Sequence, residues 1–197
     1  MAETIETRPF PPFLPKKATV MMMGTFPPEQ SKRAMEFHYP NFQNDMWRVF
    51  GLVFFDEKDH FRNGEEKAMD PEEIKAFLSE AGIASCPTVL KAIREKGNAS
   101  DAFLKVVEPV PLADVLEQIP DCKHIGTTGG KATEILLSLL PEKVKLPKTG
   151  ETIPFVFNGR ELTLTRLPST SRAYPLSLPK KAEAYKNFFK ACGLKTK

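Results

Sequence analysis

The sequence has few cysteines, and they lie far apart. Only three occur among the 197 residues, Cys86, Cys122 and Cys192. No CxxC pair is present, which argues against the usual zinc and iron–sulfur ligand patterns and against a disulfide framework. Dispersed thiols suit a reducing compartment, so we expect a cytoplasmic protein with no metal site and no cofactor.

Long apolar runs and a strong net charge are also missing. No stretch approaches the roughly 20 apolar residues that a membrane-spanning helix needs, and the acidic, proline-containing start does not resemble a signal peptide. The chain carries 28 Lys and Arg against 25 Asp and Glu, and 41% of its residues are hydrophobic. This composition is typical of one folded globular domain, which we expect to be a monomer without a membrane partner.

The charge that is present is unevenly distributed. Residues 166–197 contain eight Lys and Arg against Glu183 alone, whereas residues 56–80 contain nine acidic and four basic residues. A basic carboxy-terminal segment can lie along a phosphate backbone. A solvated helix face followed by a lysine-rich tail explains the pattern equally well, so charge alone leaves a nucleic-acid partner open.

Strand signals occur at three places in the chain. A continuous apolar run predicts a buried strand at residues 18–23, and residues 123–128 are expected to form a further strand. The dipeptide Asn158-Gly159 between strand-forming residues predicts a β-hairpin, because both central residues of a type I′ turn need positive φ. Residues 1–17 contain four prolines, so we expect an extended arm there, followed by a single domain over residues 18–197.

Helical patterns alternate with these strands. Asp70 followed by Pro71 indicates a helix start that runs to about Ala81. The other predicted helices cover residues 46–52, 88–95 (with a stop at 96–98), 112–118, 130–140 and 179–191. Strands separated by helices predict an α/β fold, a three-layer αβα sandwich with a short, mostly parallel central sheet.

Two loops follow predicted strands and invite a functional interpretation. Gly24-Thr25-Phe26-Pro27-Pro28 follows the first strand, and Leu167-Pro168-Ser169-Thr170-Ser171 follows the hairpin. Ligands bind at the carboxyl ends of strands in open α/β sheets, so the two loops can meet at one cleft. Small hydroxyl residues and free backbone N–H groups can hold a phosphate there.

A glycine-rich segment at residues 126–133 does not match the P-loop pattern. Its first glycine should stand at position 125, which is Ile. Lys131 should also be followed by Ser or Thr, whereas residue 132 is Ala. These mismatches argue against an NTPase.

Three ordered segments resemble motifs of the uracil-DNA glycosylase superfamily, most closely its mismatch-specific uracil and hypoxanthine-DNA glycosylase branches. They are Gly24-Thr25-Phe26-Pro27, Tyr39 with Asn44-Asp45-Met46-Trp47, and Leu167-Pro168-Ser169-Thr170-Ser171, within a resemblance that spans about residues 18–192. The resemblance implies a DNA-repair enzyme that binds a flipped-out deaminated base, uracil or hypoxanthine. Such an enzyme hydrolyses the N-glycosidic bond without metal or cofactor and leaves an abasic site.

The resemblance also implies roles for the residues that line the base. Tyr39 is expected to stack on the base and Asn44 to act in catalysis, with Asp45 as a second candidate for activating water. Gly24, Thr25 and Phe26 are expected to contact the base. Backbone N–H groups near the last two of these are expected to stabilise negative charge on the departing base.

A second set of residues is expected to contact the DNA backbone. Ser169, Thr170 and Ser171 would grip the phosphates that flank the base, and Arg172 or Tyr174 would fill the gap left in the base stack. No Lys matches a catalytic position of the family. The resemblance therefore implies a monofunctional enzyme that does not cut the strand through a Schiff base.

The chain departs from the family at three positions. Phe26 stands where the mismatch-specific uracil branch has a water-positioning Asn, Pro28 replaces the usual Gly, and Ser169 stands where the commonest branch has a His. These departures leave open a DNA-binding relative that lacks the chemistry. A third interpretation, an enzyme of free nucleosides or nucleotides, is mildly disfavoured by the basic carboxy-terminal end.

Other roles remain open for the candidate residues themselves. Asn44 is also suited to cap the helix that begins after it, because Asn is a preferred N-cap. His38 has an intrinsic pKa suited to acid–base chemistry, but the sequence shows no partner for it. Trp47 is better explained as a core residue than as part of a site.

Overall fold

The computed structural model describes residues 3–95 and 103–197, which form layers of helices around a central sheet. The strands are β1 Ile5–Thr7, β2 Val20–Met23, β3 Ile83–Ser85, β4 Val89–Arg94, β5 Leu104–Pro109, β6 His124–Thr128, β7 Thr152–Phe157 and β8 Arg160–Leu167. The helices are α1 Met46–Phe55, α2 Pro71–Ala81, α3 Leu112–Glu117, α4 Gly130–Ser138 and α5 Leu178–Ala191.

The central sheet has five strands in the order β3-β2-β6-β8-β7. The first four are parallel to their neighbours, and only β7 runs antiparallel, against β8. Every residue of β2 is buried, because α1, α2 and α5 cover one face of the sheet while α3 and α4 cover the other. The structure confirms the expected αβα sandwich with a mostly parallel sheet.

Short-range signals predicted the turns and caps correctly. Asn158 (φ 48°) and Gly159 (φ 77°) both have positive φ, as the hairpin between β7 and β8 requires. The Asp70 carboxylate accepts hydrogen bonds from the backbone N–H groups of Glu72 (3.0 Å) and Glu73 (3.2 Å), where α2 begins. These interactions span at most three residues, so the sequence alone specifies them.

The helix expected over residues 88–95 is wrong, because strand β4 occupies Val89–Arg94. The pairing of β4 with β5 shifts register on both sides of Lys91, which indicates a β-bulge. The bulge interrupts the alternation of buried and exposed positions in the strand. The buried residues are therefore Val89, Ala92 and Ile93, which have the i, i+3, i+4 spacing that is typical of a helix. The helix stop expected at residues 96–98 lies outside the described residues.

A second, three-stranded antiparallel sheet has the order β1-β4-β5 and was not expected. Strand β1 comes from the segment predicted to be an extended arm. Further along this segment Phe10 is buried, and Phe13 forms an antiparallel bridge with Ser85 at the end of β3. Through these contacts residues 5–13 pack against β4 and β3.

In the described ranges no helix is both long enough and apolar enough to cross a bilayer. The same ranges contain no cluster of three or more His, Cys, Asp or Glu side chains placed to hold a metal ion.

The cap of α2 gives a first test of the fold. We expect Asp70→Ala to lower the free energy of unfolding by about 1 kcal/mol, because two backbone N–H groups lose their acceptor. Urea denaturation measures the change. Glu80→Ala, at an exposed position near the end of the same helix, is the control and should have a much smaller effect. Equal losses in the two variants would contradict the capping role.

Candidate functional site

A cavity of about 590 Å³ lies at the edge of the central sheet where its strands end. Its walls come from residues 24–28 after β2, from 38–44 before α1, and from 169–175 after β8. The end of β3 (residues 85–87) and Thr128 of β6 complete them. The structure thus brings together the three segments that the sequence analysis singled out.

Gly24 and Tyr39 are in close contact across this cavity. A Cβ atom at residue 24 would lie 2.7 Å from the Tyr39 hydroxyl and 3.2 Å from Thr128 Oγ1. The Tyr39 hydroxyl itself lies 3.3 Å from Thr128 Oγ1, so the ring is tied to the end of β6. A glycine is therefore needed at this position for the ring to reach its place in the wall.

Tyr39 has a left-handed backbone, with φ 53°, which is unusual for an aromatic residue. The surrounding structure fixes it from both sides. Trp47 Nε1 donates to the carbonyl of His38 at 3.0 Å, and the Ala34 N–H donates to the carbonyl of Pro40 at 2.8 Å. Such backbone strain persists only where neighbours determine it, and it clusters at functional sites. Trp47 is buried, as expected, and its ring meets Tyr39 edge-on at 6.0 Å.

Asn44 lines the cavity and directly precedes Asp45, the N-cap residue of α1. Its Oδ1 accepts a hydrogen bond from the Met46 N–H at 2.9 Å, which identifies the side-chain oxygen because only the oxygen can accept. The Nδ2 amide makes no hydrogen bond to the described residues and keeps both of its donor hydrogens. Asn44 is therefore not the N-cap residue of α1, but its hydrogen bond to the first residue of the helix fixes the orientation of the amide.

Phe26 forms an apolar wall of the cavity. Its half-buried side chain packs against the small buried cluster Val89, Ala92, Leu104 and Ile135. The Arg94 guanidinium lies over the ring, 5.3 Å from its centroid, and also donates to the carbonyl of Pro27. The backbone N–H of Phe26 has no hydrogen-bond partner among the described residues, so it is a donor available beside the cavity.

The loop after β8 is held in place by its own carbonyl groups. The Tyr185 hydroxyl donates to the Pro168 carbonyl at 2.7 Å, and the Asp45 N–H donates to the Thr170 carbonyl at 2.9 Å. The hydroxyls of Ser169 and Ser171 accept from backbone N–H groups two residues later, at 3.1 and 3.3 Å. The backbone N–H groups of residues 171 and 173 are therefore used within the loop, and the hydroxyl hydrogens of the two serines remain able to donate to a ligand.

A buried ion pair joins this loop to the start of α1. Lys181 of α5 is 1% exposed, and its Nζ lies 3.1 Å from Asp45 Oδ2 and 2.9 Å from the Ser171 carbonyl. Arg172 Nη2 and Arg48 Nη1 lie 3.4 and 3.8 Å from Asp45 Oδ1. Asp45 and Arg172 do not line the cavity, whereas Tyr174 does. We call this group of four side chains the clamp.

His38 borders the cavity as a neutral side chain. It is 5% exposed, and burial lowers its pKa from 6.5 to about 4. Its Nε2 lies 2.9 Å from the Pro11 carbonyl and its Nδ1 lies 2.6 Å from Ser85 Oγ. Both ring nitrogens are engaged, so His38 is not placed to exchange protons with a ligand near neutral pH.

The cavity carries no formal charge at neutral pH. No Asp, Glu, Lys or Arg is among its lining residues in the part of the chain that the structure describes. Burial raises the pKa of the lining Cys86 thiol to about 11, so this group is protonated. An aromatic ring, amide and backbone donors and apolar walls can hold a planar, neutral ligand with polar edges.

Sequence reasoning missed several residues of the site. Ser85 and Cys86 follow β3, a strand of three residues that was too short to recognise, although its carboxyl end lies at the expected edge. Phe10 reaches the cavity from the docked amino-terminal segment. Lys181 reads as one of several lysines on a basic helix, and its burial depends on a partner 136 residues away.

The charges of the clamp predict that Asp45→Ala and Lys181→Met lower the free energy of unfolding by different amounts. We expect Asp45→Ala to lower the free energy of unfolding by roughly 3–5 kcal/mol, because it leaves the buried Lys181 ammonium without its counter-ion. Lys181→Met should cost less, because Asp45 keeps its two arginine neighbours.

Urea denaturation of both variants tests this order. Lys180→Met, at the exposed neighbouring position on α5, is the control and should stay close to the wild-type protein. A larger loss in Lys181→Met than in Asp45→Ala would show that the charge balance is different.

Burial of His38 predicts a pH dependence of stability. Between about pH 6.5 and 4 the unfolded chain binds a proton at this residue that the folded chain does not. The free energy of unfolding should therefore fall as pH decreases through this window, by about 3 kcal/mol in total from this group.

Urea denaturation between pH 4 and 7 measures the slope. We expect His38→Gln to show a flatter profile than the wild-type protein, and His124→Gln, at a half-buried histidine, to keep most of the slope. An unchanged slope in His38→Gln would contradict the neutral state of the buried ring.

Comparison with known proteins supports the fold. No protein-family model matches the chain, and no curated protein matches it. Fifteen chains of solved structures match. One of them is the solution NMR structure of a "putative Uracil DNA glycosylase" from Methanosarcina acetivorans, with a TM-score of 0.64 and 20% sequence identity over 96% of this chain and 99% of that chain. The chain shares the fold of that protein over nearly its whole length.

Proposed function

We propose that this protein is a DNA glycosylase of the uracil-DNA glycosylase superfamily. It hydrolyses the N-glycosidic bond of a flipped-out deaminated base, uracil or hypoxanthine, and leaves an abasic site. The observation that carries the proposal is the meeting of all three resembling segments at one uncharged cavity. The shared fold with a protein described as a "putative Uracil DNA glycosylase" supports it.

The cavity offers groups for each part of a flipped base. Tyr39 provides an aromatic face for stacking, which contributes about 1–3 kcal/mol per base in proteins that bind single strands. Asn44 Nδ2 and the Phe26 N–H provide donors for carbonyl oxygens on the base. Donors already fixed in place need no reorganisation when negative charge develops on a ligand.

The reaction can proceed by stabilisation of the leaving group. The bond between the sugar C1′ and the base nitrogen breaks, and its electron pair stays on the base. Asn44 and the Phe26 N–H then stabilise the base anion, a water oxygen bonds to C1′, and the water proton passes to the base or to solvent. Because none of the described lining residues carries a carboxylate, the water attacks a sugar that is already electron-deficient and needs only to be positioned. We assign that positioning to the second lone pair of Asn44 Oδ1.

Asp45, in contrast, lies outside the cavity lining and supports residues that form it. The clamp holds its carboxylate on Lys181 while its backbone N–H holds the loop after β8. We therefore place it as a positioning residue. Lys181 is buried and paired outside the lining, and none of the described lining residues is a Lys, which supports a monofunctional enzyme.

The rim of the cavity is suited to the DNA backbone. The hydroxyls of Ser169 and Ser171 can donate to phosphate oxygens on either side of the flipped nucleotide, whereas Thr170 lines the cavity but is only 2% exposed and is less accessible to the DNA backbone. Arg172 is 54% exposed and adds positive charge next to them. Its contact with Asp45 makes Tyr174, which lines the cavity, the better candidate to fill the gap in the base stack.

A second function, DNA binding without hydrolysis, is favoured by one observation. Phe26 is packed into the wall at the position where the mismatch-specific uracil branch has its water-positioning Asn. A protein with this cavity can hold a flipped base and leave its bond intact.

Base release from labelled oligonucleotides tests the first function. The substrates contain uracil, hypoxanthine or xanthine, single-stranded and mispaired, and abasic sites are revealed by hot alkali. We expect release by the wild-type protein. Asn44→Ala should lower the single-turnover rate about 100-fold or more through loss of a leaving-group donor, and Tyr39→Ala about 10- to 100-fold through loss of stacking.

Asn63→Ala, at an exposed asparagine outside the cavity, is the matched control and should keep the wild-type rate. Salt-sensitive DNA binding without release of any base would support the second function, and Phe26→Asn would then be the variant to test for restored hydrolysis. A wild-type protein that neither binds DNA nor releases a base would overturn both.

A further inference from the structure

We propose that Ser85 is a hydrogen-bond acceptor that recognises a ring N–H group of the bound base, and that His38 and the amino-terminal segment set its polarity. This inference rests on the proposed glycosylase function and names the residue that selects among bases. It starts from a chain of three groups, the Pro11 carbonyl, the His38 imidazole and the Ser85 hydroxyl.

The hydrogen positions in this chain follow from elementary chemistry. The Pro11 carbonyl can only accept, so the hydrogen in its 2.9 Å contact belongs to His38 Nε2. A neutral imidazole carries one such hydrogen, so Nδ1 is an acceptor. The 2.6 Å contact between Nδ1 and Ser85 Oγ is therefore a hydrogen bond donated by the serine hydroxyl.

This arrangement leaves Ser85 a single way to contact a ligand. Its hydroxyl hydrogen is committed to His38, so only the lone pairs of Oγ remain, and Ser85 lines the cavity. Its backbone N–H and carbonyl are also fixed, by reciprocal 2.9 Å hydrogen bonds to Phe13. The residue is a rigid acceptor at the cavity wall.

The Asn44 Nδ2 donor and the Ser85 Oγ acceptor line the same cavity and have opposite polarity. A lactam edge, with a C=O beside a ring N–H, presents the complementary acceptor and donor. Uracil and hypoxanthine carry this edge. Cytosine and adenine present an amino donor beside a ring-nitrogen acceptor, so a donor would face a donor and an acceptor would face an acceptor. Unpaired buried polar groups reject a ligand strongly, so the pair favours each deaminated base over the amino base from which it derives, uracil over cytosine and hypoxanthine over adenine.

A purely structural role is the competing explanation for a buried Ser–His pair. The chain also contains a buried hydrogen-bonded pair of hydroxyl side chains, Thr127 with Thr133 at 2.7 Å, and neither of these residues lines the cavity. Ser85 and His38 both do. Their placement beside Tyr39 and Asn44 is what points to recognition of a ligand.

The test compares Ser85→Ala, His38→Phe and the double variant, with Ser138→Ala on the exposed side of α4 as control. Single-turnover base release is measured on uracil and hypoxanthine oligonucleotides. Binding to DNA that carries a tetrahydrofuran abasic site, which has no base, is measured separately, together with the Tm of each variant.

We expect Ser85→Ala to lower base release about 10- to 100-fold and to leave abasic-site binding unchanged, because only the contact with the base is lost. His38 acts through Ser85, so the double variant should be no slower than the slower single variant. Ser138→Ala should behave as the wild-type protein.

Wild-type rates in Ser85→Ala would overturn the inference while leaving the glycosylase function intact. An equal loss of base release and abasic-site binding would also overturn it, because that pattern belongs to a structural role. A wild-type protein that releases no base would overturn the proposed function, and this inference with it.

Discussion

The site depends on one buried ion pair, Lys181 with Asp45. The start of α1 meets two consecutive carboxy-terminal elements, the loop after β8 and helix α5, at these two side chains, although Asp45 and Lys181 are 136 positions apart in sequence. A buried pair of charges contributes little net stability, because both charges must leave water. Its effect here is geometric. The buried Lys181 ammonium needs both the Asp45 carboxylate and the Ser171 carbonyl as hydrogen-bond acceptors. The segment before α1 and the loop after β8 are therefore held at a fixed distance from each other.

The uncharged cavity sets the chemistry that the protein can perform. A general base here would have to be a carboxylate or an accessible histidine. The described lining residues offer only His38, which is neutral and has both ring nitrogens engaged in hydrogen bonds. Fixed donors such as Asn44 Nδ2 can instead stabilise charge that appears on a leaving group. Such a site acts on bonds whose leaving group already accepts an electron pair readily. In the role proposed for Ser85, the local polarity of the wall then decides which ligand is accepted.

Features that depend on residues close together in the sequence could be predicted, and features that depend on distant residues could not. The hairpin at Asn158-Gly159 and the cap at Asp70 were predictable because their geometry depends on residues at most three positions apart. Strand β4 was mistaken for a helix because a bulge gave its buried residues helical spacing. The resembling segments could be placed at one edge of the sheet by the rule for parallel strands. The contacts of Lys181 and Ser85 join residues 136 and 47 positions apart, and no local pattern encodes them.

The docking of the amino-terminal segment has a consequence for how the molecule acquires its structure. Phe10 lines the cavity, and the Pro11 carbonyl accepts the hydrogen bond from His38. At the other end of the chain, Lys181 and Tyr185 of α5 donate hydrogen bonds to the loop after β8. Contacts between such distant parts of the chain form slowly, because the intervening chain must be ordered first. During synthesis on the ribosome the cavity cannot close until α5 has emerged. An incomplete chain therefore lacks the assembled cavity, even when most of its sheet has already formed.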